Sequence, residues 1–385
     1  MTFHRRSTVP VTLVSGFEGA GKSTLIESIK NRLRSKRISL LTDDGEIDLF
    51  SEIERVMKLD APDAILIECA SNLEPYFVAE QLVYGDESSS PPDGMRVDTL
   101  VTVVDGSTFF KEMHGHDDLL DRELAFDAED DRTVAELTIE QIEFADVIVI
   151  NKLDRIDKEE LNRVEAFIER LNPRAKILKA TRGNVHPSEV VDTGYFEFDD
   201  TDDGAGWFAE LRGDFAEFPD SAGVKSFTYL ERTPFHPGRL NDLLSDLHFS
   251  GVVRAKGYVW VASRHHEIGV WSVVGQASLL TYGGAWYAAT PAREWPRDER
   301  ERAEIMKDWA PPFGDRRQEI AFIGIGMNQK EICERLRQCL LTHDEMKNGP
   351  DTWYSFPDPL PDWHVDADPE SFGPSGSFGP SDGWT

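Results

Sequence analysis

Gly16-Phe-Glu-Gly-Ala-Gly-Lys-Ser-Thr24 sets Gly16, Gly21, Lys22 and Ser23 at the spacing that chemistry on a nucleoside triphosphate requires. Glycines let successive backbone N–H groups turn inward around phosphate oxygens, the lysine reaches the terminal oxygens, and the serine hydroxyl ligates Mg²⁺. The expected phosphate cradle is therefore Gly16, Glu18, Gly19, Ala20, Gly21, Lys22, Ser23 and Thr24. It is entered by the apolar run Val11-Thr-Leu-Val14 and left by Leu25, Ile29 and Leu33 at helical spacing, the strand, loop and helix context that such a motif needs.

A second constellation, Asn151-Lys152-Leu153-Asp154, follows the apolar run Val147 to Ile150. A carboxylate at Asp154 can accept hydrogen bonds from both the ring N–H and the exocyclic amine of guanine. Adenine shows the opposite pattern and leaves the charge unpaired. Lys152 is expected to lie along the loop and the base. Joined to an upstream phosphate loop, the tetrad selects GTP over ATP.

These residues need strands to carry them. Apolar segments Val11 to Ser15, Ile38 to Thr42, Ala64 to Glu68, Thr99 to Asp105, Val147 to Asn151 and Lys176 to Ala180 alternate with helical patterns. Such alternation predicts an α/β fold, a mostly parallel sheet with helices on both faces. Ligands bind at the carboxyl ends of such strands, where the phosphate loop, Glu68, Asp105 and Asn151 all fall. The reading places a P-loop NTPase domain over 1–205, a linker over 206–223 that follows the acidic run 199–204, and a smaller α+β domain over 224–343. An acidic, low-complexity, flexible tail is expected over 344–385, where Ser371-Phe-Gly-Pro-Ser recurs at Ser377. The order of strands and helices after Val224 suggests helices on one face of an antiparallel or mixed sheet, with Trp260, Trp271, Trp286 and Trp295 in its core or interface.

With 385 residues, 40% of them hydrophobic, the chain can bury a core in each of two domains. Its apolar runs have strand length, far short of a membrane span, and Met1-Thr-Phe-His-Arg-Arg lacks the apolar stretch of a secretory signal. Neither a membrane nor nucleic acid is an expected partner, the latter because 71 acidic residues against 41 Lys and Arg give a net charge of −30. Charge of that size fits a cytoplasm in which salt screens it, and Cys69, Cys333 and Cys339, with no C-x-x-C pair, fit a reducing compartment.

Together these landmarks resemble the CobW-like family of P-loop GTPases, the metallochaperone group that includes nitrile hydratase activators and zinc-responsive members. The likeness runs through Val11 to Leu25, Ile65 to Pro75, Val103 to Asp105 and Ala145 to Asp154. It continues in Pro234-Phe-His-Pro-Gly-Arg-Leu240, Arg254 to Trp260 and Gly314 to Gly324. The resemblance implies a C-terminal domain of the CobW type. It also implies hydrolysis of GTP to GDP and phosphate, coupled to metal-cofactor insertion or metal homeostasis of a client metalloprotein. Lys22, Glu68 and Asp43 would be its catalytic residues, and Ser23 and Glu68 would hold Mg²⁺, Glu68 through water. Asp43 or Asp44 would orient the attacking water, and association into oligomers is compatible with this picture.

Two departures stand out. Ser71 occupies a position where the family has glycine, which restricts the turn. The family's Cys-x-Cys-Cys motif is missing between Thr42 and Ala64, so Asp43 and Glu46 are left as hard-ligand remnants and a Zn²⁺ or Co²⁺ cargo loses its soft donors. His114 and His116 read either as a labile metal site or as solvated loop residues. Cys69 reads as a small buried hydrophobe, His236 as a structural histidine, and His265 and His266 as residues of a turn. Two other functions remain open: a guanine-nucleotide sensor or scaffold without turnover or metal cargo, and a small-molecule kinase, the latter disfavoured by Asn151 to Asp154.

Overall fold

Short apolar runs form the strands of the first unit. They are β1 (Val9–Ser15), β2 (Ile38–Asp43), β3 (Ala64–Cys69), β4 (Met95–Asp105), β5 (Val147–Asn151) and β6 (Lys176–Lys179). Those of β1, β3, β4 and β5 are buried on both sides, and those of β2 and β6, at the sheet edges, only partly. Between them lie α1 (Lys22–Arg32), α2 (Leu49–Asp60), α3 (Pro75–Tyr84), α4 (Phe109–Met113), α5 (Val134–Glu143) and α6 (Lys158–Leu171). The computed structural model describes residues 8–45, 47–85, 90–113, 119–120, 122, 124–125, 132–197, 222–245, 249–275 and 277–363. The chain divides into two units between Gly206 and Trp207.

The first unit is a six-stranded parallel sheet in the order β2-β3-β1-β4-β5-β6. One face packs Val11, Leu13, Ile65 and Ile67 against Ile53, Val56, Val78 and Leu82 of α2 and α3. The other packs Val14, Leu66, Val101 and Val103 against Leu25, Ile26 and Ile29 of α1. Because every strand runs the same way, the carboxyl ends share one edge: Val14 is in register with Glu68, Ser15 with Thr102, and Asp105 with Asn151. β4 starts at Met95 and not at the expected Thr99. Asp98, fully buried, accepts the N–H groups of Thr193 and Gly194 at 2.9 and 3.1 Å, which carries the strand backward through a segment that reads as polar loop.

The second unit resolves the choice between antiparallel and mixed. β7 (Val224–Glu231), β8 (Val252–Val259), β9 (Glu267–Val274), β10 (Ala277–Ala285) and β11 (Gln318–Ile325) form a wholly antiparallel sheet, ordered β10-β9-β8-β11-β7. The helices Pro237–Ser245 and Gln329–Cys339 press Leu240, Leu243, Ile332 and Leu336 onto Phe227, Tyr229, Trp271 and Phe322. Trp260, Trp271 and Trp286 are core residues, whereas Trp295 is half-buried. His236 Nδ1 accepts from Gly238 N at 3.1 Å, capping the Pro237–Ser245 helix.

The expected flexible tail does not begin at 344. Helices His343–Asn348 and Pro350–Trp353 bury Trp353 beside Trp260 and Trp286. Leu360 and Trp363 join the main core, and Asp358 pairs with Arg264 at 2.8 Å. Composition misled here because a few apolar anchors outweigh many polar neighbours. The run 199–204 and residues 364–385 lie outside the described residues. Among the described residues no helix is long and apolar enough to cross a membrane.

His265 sits in the expected turn, 6% exposed, with Nδ1 accepting from Trp260 Nε1 at 3.3 Å. Burial, reinforced by the charges of Arg316 and His266, lowers its pKa to about 3. The folded state thus binds this proton more weakly than the unfolded chain, whose histidines titrate near about 6.5. Its contribution is complete above that value and is lost as pH falls toward 3. Between pH 7 and 5 the second unit should lose about 2 kcal/mol through this group. Denaturant unfolding at the two pH values should show a flatter dependence in His265→Gln than in the parent chain, and an unchanged slope would refute the assignment.

Candidate functional site

The turn from β1 into α1 has no room for side chains at two places. Gly16 has φ +134° and Gly21 φ +108°, values that L-residues rarely adopt. A Cβ on Gly16 would overlap the Val103 carbonyl oxygen, and one on Gly21 would overlap Asn151 Nδ2. The first turn of α1 has no side-chain N-cap and no acidic residue, so its amide end is open to an anion. Lys22 opens this helix and is 8% exposed. Its Nζ donates to Gly16 O at 2.6 Å and to Ser71 Oγ at 2.9 Å. Burial lowers its pKa, opposed by the nearby charges of Glu68 and Glu18.

Next to it, Ser23 Oγ donates to Glu68 Oε1 at 2.7 Å. A hydroxyl on the first turn of α1 in contact with a carboxylate at the end of β3 forms an oxygen donor set of the kind Mg²⁺ takes. Cys69 follows on β3 but is 1% exposed, and burial pushes its thiol up to about 12, so it packs as an apolar group. Asp43 closes β2. Its carboxylate accepts from Gly45 N at 3.0 Å, and burial raises its pKa against that bond. Among the described residues no three His, Cys, Asp or Glu side chains gather as a metal would need. Glu46, His114 and His116 lie outside the described residues.

On the other side Asn151 ties two loops. Its Nδ2 donates to Ala20 O at 2.9 Å and its Oδ1 accepts from Gly183 N at 3.0 Å. Lys152 takes a left-handed conformation, φ +59°, and its Nζ pairs with Asp105 Oδ2 at 2.6 Å. Burial pushes Asp105 up, but the bonds from Lys152 and Ser107 outweigh it and hold the carboxyl below its ordinary range. Asp154, on the short turn Leu153–Arg155, is exposed, as are Glu18, Gly19, Ser23 and Thr24. The structure therefore gathers Gly16, Ala20, Gly21, Lys22, Ser23, Glu68 and Asn151 by direct bonds or packing.

Sequence reasoning missed three participants. Asp105 reads in the sequence as a strand end, with nothing to mark it as the partner of Lys152. Gly183, in the loop after β6, carries no local signal. Gln141 on α5 donates through Nε2 to Ser71 O and Leu73 O at 3.0 and 3.2 Å, a contact that no spacing in the sequence announces.

Two family models match the chain. One, described as the CobW/HypB/UreG nucleotide-binding domain, matches residues 44–179; the other, the cobalamin synthesis protein CobW C-terminal domain, matches residues 224–340. The first match begins beyond Gly16 to Thr24, which stand on their own geometry. Zinc-regulated GTPase metalloprotein activator 1 of Dictyostelium discoideum is 33% identical over 91% of this chain and 84% of its own length. A zinc chaperone of Mycobacterium tuberculosis is 30% identical over 86% of this chain and 80% of its own. Among solved structures, the Zn(II)-bound YjiA GTPase from E. coli aligns over 87% of this chain and 99% of its own, at 16% identity and a TM-score of 0.39.

Gly16→Ala should destabilise the first unit by about 2–5 kcal/mol, combining a forbidden φ with overpacking against β4. At Gly19, φ +75° with no atom within 4 Å of a built Cβ, the same change should cost only about 1–2 kcal/mol. Equal losses in urea unfolding would sink the steric account.

Proposed function

This chain belongs to the CobW family of nucleotide-binding proteins, and from that premise we propose that it hydrolyses GTP to GDP and phosphate to serve the metal supply of a client protein. The observation that carries the reading is the junction of Lys22, Ser23 and Glu68, where a buried ammonium and a hydroxyl–carboxylate pair meet at the open end of α1. Water adds to the terminal phosphorus as the bond to the GDP oxygen breaks. Negative charge then grows on that leaving oxygen, which Lys22 and the amides of Gly16 to Thr24 offset. Ser23 and Glu68 are the residues we assign to Mg²⁺, which when bound neutralises phosphate charge. Asp43, its carboxyl raised by burial, is the acid we assign to orienting water. Asp154 fixes the guanine edge, and Lys152, braced by Asp105, lines the base side of the loop.

The metal link rests on the relatives, two of which carry zinc in their names or descriptions. We place the division of labour at about residue 205, with nucleotide chemistry before it and the CobW-type C-terminal domain from 224. We assign the protein to a salt-rich cytoplasm on its net charge of −30. A sensor without turnover is the second reading, favoured by one contact: Lys22 is already held by Ser71.

Steady release of phosphate from GTP in molar KCl with Mg²⁺, lost in Lys22→Ala, is the expected result. Tight GTP binding without turnover would replace the GTPase by the sensor. Added Zn²⁺ or Co²⁺ should change the rate if hydrolysis is coupled to metal, and a flat response would remove the coupling. Asp154→Asn should weaken GTP by about a hundredfold, the loss of a charged two-bond contact, and favour xanthosine triphosphate in competition. Unaltered base preference would refute the role of Asp154.

A further inference from the structure

Every residue of the loop that follows β3 is tied down. Ala70 N donates to Asp43 O at 2.7 Å, and Arg132 holds Asn72 O at 3.4 Å and Glu74 Oε1 at 2.9 Å. Gln141 Nε2 grips Ser71 O and Leu73 O from behind, and Lys22 Nζ reaches Ser71 Oγ from the front. Leu73 is anchored in the apolar cluster under α3. Gln141 is fully buried, and its orientation is fixed, because turning the amide over would take both donors away from two carbonyls. That orientation leaves Oε1 without a donor among the described residues, and Gln141 also lines a cavity of about 10 Å³ together with Phe17, Glu18, Ala20 and Thr138.

We propose that Ser71 is a side-chain reader of the terminal phosphate, held ready by Gln141 whether or not nucleotide is bound. The inference rests on the GTPase reading above. An ammonium has three protons. Gly16 O and Ser71 Oγ take two, and the third is the one Lys22 has for a phosphate oxygen. Ser71 Oγ accepts from Lys22, which leaves its own rotatable proton for a further acceptor. A terminal phosphate oxygen bonded to Lys22 is such an acceptor. GDP lacks that oxygen. The hydroxyl therefore discriminates the triphosphate from the diphosphate, a selectivity that a glycine at this position could supply only through its backbone N–H.

The test compares affinities for GDP and for a non-hydrolysable GTP analogue by calorimetry in molar KCl with Mg²⁺. Ser71→Ala should weaken the analogue about tenfold, the value of a hydrogen bond to a charged group, and leave GDP within about twofold. Ser71→Thr, which keeps the hydroxyl, should restore the ratio. Gln141→Met, which releases the loop from behind, should lower analogue affinity alone. An equal change for both nucleotides, or none, in Ser71→Ala overturns the inference while the GTPase reading stands. If the parent chain binds neither nucleotide, the GTPase reading falls and this inference falls with it.

Discussion

A single buried ammonium, Lys22 Nζ, joins the turn after β1 to the loop after β3. Taking a cation out of water is costly unless its protons are accepted, and here two oxygens at 2.6 and 2.9 Å accept them, with Glu68 close enough to favour the charge. The geometry that permits this is set elsewhere. β1 lies between β3 and β4 in a sheet of one direction, so the loops that leave β1 and β3 must open side by side. Gly16 closes against the β4 carbonyl of Val103, which fixes where the turn starts, and α1 fixes where it ends. Lys22 is then positioned by covalent and packing constraints before any ligand arrives, which is the condition for an electrostatic contact to act without reorganisation.

Asn151 repeats the device on the other flank. One amide spans the phosphate turn and the loop after β6, donating to Ala20 and accepting from Gly183. Since Gly21 cannot carry a Cβ without striking that same amide, the glycine and the asparagine form one unit. The pair Lys152 and Asp105 adds a bridge between β4 and β5. Four loops at one sheet edge are thereby linked by side chains as well as by the ladder, and the exposed groups Ser23, Thr24 and Asp154 project from a rigid rim.

Much of this was legible because it is local. The phosphate turn is readable since glycine, lysine and serine each answer a need within one helical turn, and the parallel sheet is readable since strands buried on both faces leave apolar runs between helical patterns. The all-antiparallel pairing in the second unit was not, because strand direction depends on partners far apart in sequence, such as β7 and β11. Gln141 escaped for the same reason: its two acceptors lie some seventy positions away, and a glutamine in a helix has no signature. The packed segment through Trp363 escaped because polar composition hid Trp353, Leu360 and Trp363, three side chains that are almost wholly buried.

The net charge of −30 opposes the site it surrounds, since a nucleoside triphosphate is itself a polyanion. The two effects act over different ranges. Repulsion from carboxylates spread along the whole chain works at tens of ångströms in dilute buffer and is cut to about 3 Å by molar salt. Lys22, buried and already held by Gly16 O and Ser71 Oγ, acts at contact distance, where mobile ions screen it little. Salt therefore removes the unfavourable term and spares the favourable one. An acidic surface is compatible with anion recognition where binding is carried by a short, buried donor, and Lys22, held between Gly16 and Ser71, supplies that arrangement.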